Sequence, residues 1–112
     1  MTAAPLTKRK ESDITNAILA LLRVHGIAAW RTGVGAFRAS YQGRERFVRL
    51  GTPGMADIVG ILPGGQALFV EVKSPTGRVR PEQLAFLQTV ARAGGFGFVA
   101  RSVDDVKETL DL

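Results

Sequence analysis

The sequence predicts an α/β fold with helices packed on a mixed sheet, on three observations. Apolar residues recur at helical spacing near the start of the chain. A Gly-rich turn separates two β-type runs in the middle. A helical run, a short apolar run and a capped helical run then follow in that order. With 112 residues, no Cys and 46% hydrophobic content, the chain has the size and composition of one domain with an ordinary core. A chain of this size buries roughly two-thirds of its unfolded surface, so neither disulfides nor a structural zinc is needed. The expected organisation is a loose tail over residues 1–7 and a single domain over residues 8–112.

The first helix is expected over residues 8–25, because Ile14, Ala17, Ile18, Leu21 and Leu22 share a face and Gly26 supplies a stop. Glu11 lies on or beside that stripe, where a carboxylate needs a partner or a purpose. Residues 27–32, which include Trp30, form a short β-like run. A Gly- and Arg-rich stretch follows, with possible hairpin arms over residues 36–40 and 45–50 around Tyr41-Gln42-Gly43-Arg44. Gly51-Thr52-Pro53-Gly54 breaks the chain. The clearest hairpin comes next, residues 57–62 and 67–73 around Pro63-Gly64-Gly65-Gln66. Pro81 opens a second helix whose inner face is expected to be Leu84, Leu87, Val90 and Ala91, with Gly94-Gly95 ending it. Residues 96–100 read as a buried strand, and Ser102 with Asp105 caps a last helix through Leu110. The order is helix, β-meander, helix, strand, helix.

Charge is uneven along this order. The 15 basic and 10 acidic residues leave +5, but the chain through Arg80 carries +7 and the remainder −2. The first two-thirds is therefore the part suited to an anionic partner, with nucleic acid the first candidate. No run is long or apolar enough for a membrane span, and the opening residues lack the apolar core of a signal peptide, so a cytoplasmic location is expected. The absence of Cys excludes thiolate metal sites and cysteine nucleophiles.

The clear hairpin also sets a register. A turn centred on Gly64 places Asp57 directly opposite Glu71, with Cβ atoms roughly 4.5–5.5 Å apart. Two carboxylates so placed repel unless a proton or cation lies between them. Lys73 shares their face by strand alternation, while Ile58, Leu68, Val70 and Val72 fill the other, and Glu11 can approach from the first helix. Oxygen donors of this kind suit Mg²⁺ or Mn²⁺, which would polarise a phosphate and supply a metal-bound water as nucleophile. Lys73 could orient that water or stabilise charge on the phosphate. Each residue alone has an ordinary structural explanation: a surface ion pair for Lys73, a local cap for Asp57, a solvated helix position for Glu11. Their coincidence in one register favours a site.

Glu11 in a first helix, Gly54-Met55-Ala56-Asp57-Ile58-Val59-Gly60 on a strand, Phe69-Val70-Glu71-Val72-Lys73 on the next and Gln83 opening a helix together resemble the PD-(D/E)XK nuclease superfamily. More narrowly the chain is similar to the VRR-NUC family, in its small stand-alone phage and bacterial form, over residues 11–106. The resemblance implies a restriction-endonuclease-like αβββαβ core. It implies that Asp57, Glu71 and the backbone carbonyl of Val72 bind a divalent metal, that Lys73 is catalytic, that Glu11 assists directly or through water, and that Gln83 lies beside them. Ala56 departs from the superfamily pattern, which has Pro there; that position is not a ligand.

Arg31, Arg38, Arg44, Arg46 and Arg49 are interleaved with Phe37, Tyr41 and Phe47, a pattern suited to phosphates and exposed bases, although the aromatics could equally be core. Arg78 and Arg80, ahead of the Gln83 helix, are a second candidate contact. The single His25 sits at a helix end and reads as structural. No dinucleotide loop, phosphate loop or nucleophile elbow is present, so no nucleotide cofactor is expected. These residues, with the resemblance, point to a Mg²⁺- or Mn²⁺-dependent endodeoxyribonuclease for branched DNA such as Holliday junctions, working in DNA repair as a homodimer in a bacterial cell or phage-infected host. A flap or duplex nuclease acting with a replication protein, and a binding module without catalysis, are the alternatives.

Overall fold

The computed structural model describes residues 10–32, 36–41, 44–49 and 52–112, and the side chains of residues 36–41 and 44–49 fall outside this description. The expected tail, residues 8 and 9 of the expected first helix, the turn residues Gln42 and Gly43, and Leu50 lie outside the described residues.

Helix α1 spans Glu11–Val24, with Lys10 as its N-cap. Glu11 and Asp13 in its first turn complement the helix dipole. The chain turns at Gly26, whose φ of 72° favours glycine. Ile27 N–H closes the helix by donating to the Leu22 carbonyl at 2.9 Å. The buried stripe is Ile14, Thr15, Ile18, Leu19 and Leu22, with Ala17 and Leu21 at its margin. His25 is the exposed C-cap.

Strands β1 (Ala28–Arg31), β4 (Ile58–Ile61), β5 (Ala67–Val72) and β6 (Phe96–Ala100) form one sheet in the order β1-β4-β5-β6. The first two pairings are antiparallel and β5–β6 is parallel, so the sheet is mixed as expected. The parallel pair requires a crossover, supplied by α2 (Pro81–Arg92). Helix α3 (Val103–Leu110) follows, and Ser102 Oγ accepts from Asp105 N–H at 3.1 Å as its cap.

Three expectations are corrected. The strands do not form a continuous meander: β2 (Ala36–Tyr41) and β3 (Arg44–Arg49) pair with each other as a separate two-stranded sheet, while β1 skips them to pair with β4. The αβββαβ core is therefore α1, β1, β4, β5, α2 and β6, with the hairpin inserted. The inner face of α2 is Gln83, Phe86, Leu87 and Val90; Leu84 and Ala91 are exposed. Strand β6 is only half-buried until Ala100, because it is the edge of the sheet.

The core lies between the sheet and the helices α1 and α3. Ile18, Leu22, Ile58, Leu68, Val70, Val72 and Val106 are fully enclosed. Each such side chain contributes roughly 1.5–3 kcal/mol through burial. Ile58, Val70 and Val72 anchor the ends of β4 and β5 on this side and so turn the alternating residues Asp57 and Glu71 to the other. Among the described residues, no helix is long and apolar enough to cross a membrane.

Candidate functional site

Strand β4 meets β5 in the register Ile58↔Val70, Val59↔Phe69, which places Asp57, one residue before β4, against Glu71. Asp57 is fixed from both sides. Its carbonyl accepts from Thr32 N–H at 3.0 Å, and its Oδ2 accepts from Val72 N–H at 2.8 Å. Thr32 Oγ1 also donates to the carbonyl of the buried Ala56 at 2.6 Å. The strand is thus locked on both edges at the point where it delivers the carboxylate.

The approach to Asp57 depends on Gly54. Its φ is 80°, and a Cβ there would collide with the Glu82 carbonyl oxygen. This contact seats the turn over residues 52–55 on the first turn of α2, where Gln83 arises. Gln83 Oε1 accepts from Arg80 N–H at 2.9 Å, which fixes its amide so that Nε2 donates to Glu71 Oε1 at 2.8 Å. Lys73 Nζ lies 3.7 Å from the same oxygen, and both side chains are buried.

Glu71 Oε2 is buried with no hydrogen-bond partner. An acceptor left this way costs roughly 1–3 kcal/mol. Burial, then the neighbouring Asp57 carboxylate, push the Glu71 carboxyl up from 4.5 to about 8; Lys73 pulls it down, while the hydrogen bond that a protonated Glu71 could donate to Asp57 and the charge of Glu11 add to the rise. The ionised pair is therefore unfavourable as it stands, and a cation or a proton relieves it.

The donors fit a hard divalent cation. Asp57, Glu71 and the Val72 carbonyl would offer it oxygen donors, and Glu71 Oε2 has no other partner. Among the described residues no group of three or more His, Cys, Asp or Glu is placed to hold a metal, so the side-chain donors facing one another here are two carboxylates. Glu11 is exposed, and its Oε1 borders the loop after β5, 3.5 Å from where a Cβ on Gly77 would be.

The arginines are distributed differently. Arg31 is held by α1: its Nη2 donates to Asn16 Oδ1 at 2.7 Å and to the Ser12 carbonyl at 3.3 Å, on the sheet face opposite Glu71. Arg78 and Arg80 are exposed ahead of α2. Arg38 pairs with Phe47, Arg46 with Ala39, Arg44 with Tyr41 and Arg49 with Ala36 in the separate hairpin. Their side chains, and those of the aromatics beside them, lie outside the described residues.

One contributor has no sequence signature. Arg101 Nη1 donates to the carbonyls of Ser74 and Gly77, at 2.8 and 2.6 Å, and so clamps the loop that carries the chain away from Lys73 and past Glu11. Lys73 N–H itself donates to the Ala100 carbonyl at 3.0 Å, so the end of β6 supports the site twice.

The VRR-NUC domain family model matches residues 8–104. The chain belongs to the VRR-NUC domain family. A solved structure described as a VRR_NUC domain is similar to it with a TM-score of 0.63 at 24% identity, over 90% of this chain and 94% of its own, which shows that the fold is shared. No curated protein matches the chain. Membership makes this VRR-NUC domain a nuclease-family domain.

Proposed function

We propose that the chain is a Mg²⁺- or Mn²⁺-dependent endodeoxyribonuclease that hydrolyses phosphodiester bonds in branched DNA such as Holliday junctions, acting as a homodimer in the cytoplasm of a bacterial cell or phage-infected host. The observation that carries the chemistry is the buried Glu71 carboxylate, with one oxygen bonded to Gln83 and the other unpartnered, facing Asp57.

Asp57, Glu71 and the Val72 carbonyl would hold the cation, which when bound polarises the phosphate and lowers the pKa of water. Lys73, the buried cation of the site, stabilises negative charge developing on the phosphate. Gln83 holds Glu71 in one rotamer, and Asp57 is held in one by Val72 N–H, so the two carboxylates meet the phosphate preorganised. Glu11, at the rim, serves to orient water. The exposed Arg78 and Arg80, and the arginines of the β2–β3 hairpin, would contact the DNA backbone. Arg31 would have to leave α1 to do so.

The branched-DNA and dimer assignments rest on the resemblance to small stand-alone VRR-NUC proteins; one centre cuts one strand, and symmetric resolution of a junction needs two. Purified protein incubated with a four-way junction, a flap and a linear duplex, each with Mg²⁺, Mn²⁺ or EDTA, tests the proposal. Metal-dependent nicking of the junction in preference to the other substrates is expected. Preferred cutting of the flap or duplex would replace the substrate assignment. Failure to cut any of the three with either metal would leave a binding module, and an Asp57→Ala variant as active as wild type would remove Asp57 from the mechanism.

A further inference from the structure

We propose that Trp30 is a stacking platform for an unpaired base of the nucleic acid, adjoining the phosphate at the Asp57–Glu71 site; the inference takes the position of that phosphate from the nuclease assignment.

Trp30 pairs with Val59 and Val59 with Phe69, and directly opposed residues share a sheet face. Asp57 lies two residues before Val59 and Glu71 two after Phe69, so strand alternation puts Trp30 on the face of the two carboxylates. Helix α2 covers this face over β5 and β6. Phe86 meets Phe69 edge-on with ring centroids 5.2 Å apart, and Leu87 and Val90 close on Gly97. Over β1 and β4 the described residues leave the face open: Trp30 is 47% and Ile61 49% exposed, with exposed Ala28 and half-buried Val59 between them. A half-exposed Trp within a contiguous apolar patch marks a contact surface.

The placement selects the occupant. Trp30 lies one strand over and two residues along from Asp57, a backbone separation of about 8 Å given ~4.8 Å between strands and ~3.4 Å per residue. That is the reach from a phosphate to a base of an adjoining nucleotide. The patch of Ala28, Trp30, Val59 and Ile61 carries no charge, so it suits the face of a base and not the phosphate backbone. Inside a duplex both faces of each base are already stacked; away from open ends, only an unpaired or extruded base has one to offer. A second copy of the chain is a poor occupant, because a stable interface buries about 800 Å² per partner and a large aromatic residue supplies only ~150–250 Å².

Trp30 is the single Trp of the chain, so its emission reports on the patch without a label. The unmodified protein is titrated in EDTA, which prevents cutting, with a single-stranded oligonucleotide and with a relaxed circular duplex, which has no open end, while anisotropy of a labelled oligonucleotide follows binding separately. The single strand is expected to quench the emission strongly and the duplex to leave it nearly unchanged. Trp30→Phe should retain binding, and Trp30→Ala should weaken it roughly 5- to 150-fold. Should Trp30→Ala melt well below wild type, Trp30→Leu, apolar but without an aromatic face, replaces it. Emission that stays constant while the single strand binds overturns the inference, as does undiminished binding by the Ala or Leu variant. A change in emission with protein concentration alone also overturns it and assigns the face to a second copy. DNA cut with Mn²⁺ while Trp30 stays silent sinks the stacking role and spares the nuclease; quenching without any cutting does the reverse. Failure to bind the single strand removes the stacking role.

Discussion

Replacing Glu71 by Gln keeps the shape of the side chain and an oxygen to accept from Gln83 Nε2, but removes the titrating proton. The consequence follows from the Glu71 carboxyl standing at about 8 in the fold against an ordinary 4.5. Between those two pH values the folded chain holds a proton that the unfolded chain has released, so wild-type stability falls as pH rises. The slope is about 1.4 kcal/mol per pH unit. Below pH 4.5 both states are protonated and the contribution is whole; above about 8 it is lost, a total of roughly 5 kcal/mol. Glu71→Gln has no such term. Urea denaturation of both proteins in EDTA, at unit steps from pH 5 to pH 9, should show the variant gaining on wild type by ~1.4 kcal/mol per unit and levelling off near pH 8. Any fixed offset from the amide itself cancels in the slope. A difference that is flat across this range, or that slopes the other way, refutes the placement of Glu71 as a buried carboxyl opposed to Asp57.

The metal enters the same linkage with opposite sign. Mn²⁺ should raise the Tm of wild type, increasingly as pH rises toward 8 and Glu71 ionises, and should raise that of Glu71→Gln much less; equal shifts in a thermal scan would remove Glu71 from the ligand set. Lys73→Met preserves most of the side-chain volume while deleting the cation 3.7 Å from Glu71, so the chain should fold and cleavage should fall by about 10²–10³; a variant cutting within a few-fold of wild type excludes Lys73 from charge stabilisation. Gly54→Ala combines a disfavoured φ of 80° with a collision against the Glu82 carbonyl, so a loss of about 2 kcal/mol or more is expected by denaturation, together with weaker metal binding as Asp57 and Gln83 are moved apart. Unchanged stability would mean that the turn is free to leave α2.

The central hairpin was legible because its information is local. Apolar alternation and the turn at Gly64-Gly65, both with positive φ, set the register that opposes Asp57 to Glu71, and Ile58, Val70 and Val72 are buried on the other side as alternation requires. What could not be read depends on partners distant in sequence. Strands β2 and β3 pair with each other as the expected hairpin, but their sequence does not tell whether its outer edges also join β1 and β4, and neighbours in sequence are the default expectation. Leu84 and Phe86 are both apolar and compete for the inner face of α2; Phe86 takes it because Phe69 is there to meet its ring. Arg101 belongs to no pattern at all. Its role exists only because the end of β6 comes beside the loop after β5.

The hydrogen bond between Thr32 N–H and the Asp57 carbonyl has a bearing on how such a domain diversifies. It ties together the two ends of the segment that contains the β2–β3 hairpin, so the four-stranded sheet is closed before that segment begins and resumes after it ends. Lengthening or replacing a segment whose ends are already joined costs little, since closure entropy grows only with the logarithm of length. Descendants of one sequence can therefore exchange everything between Thr32 and the turn before Asp57, and with it the surface offered to a new substrate, while inheriting the carboxylates unaltered.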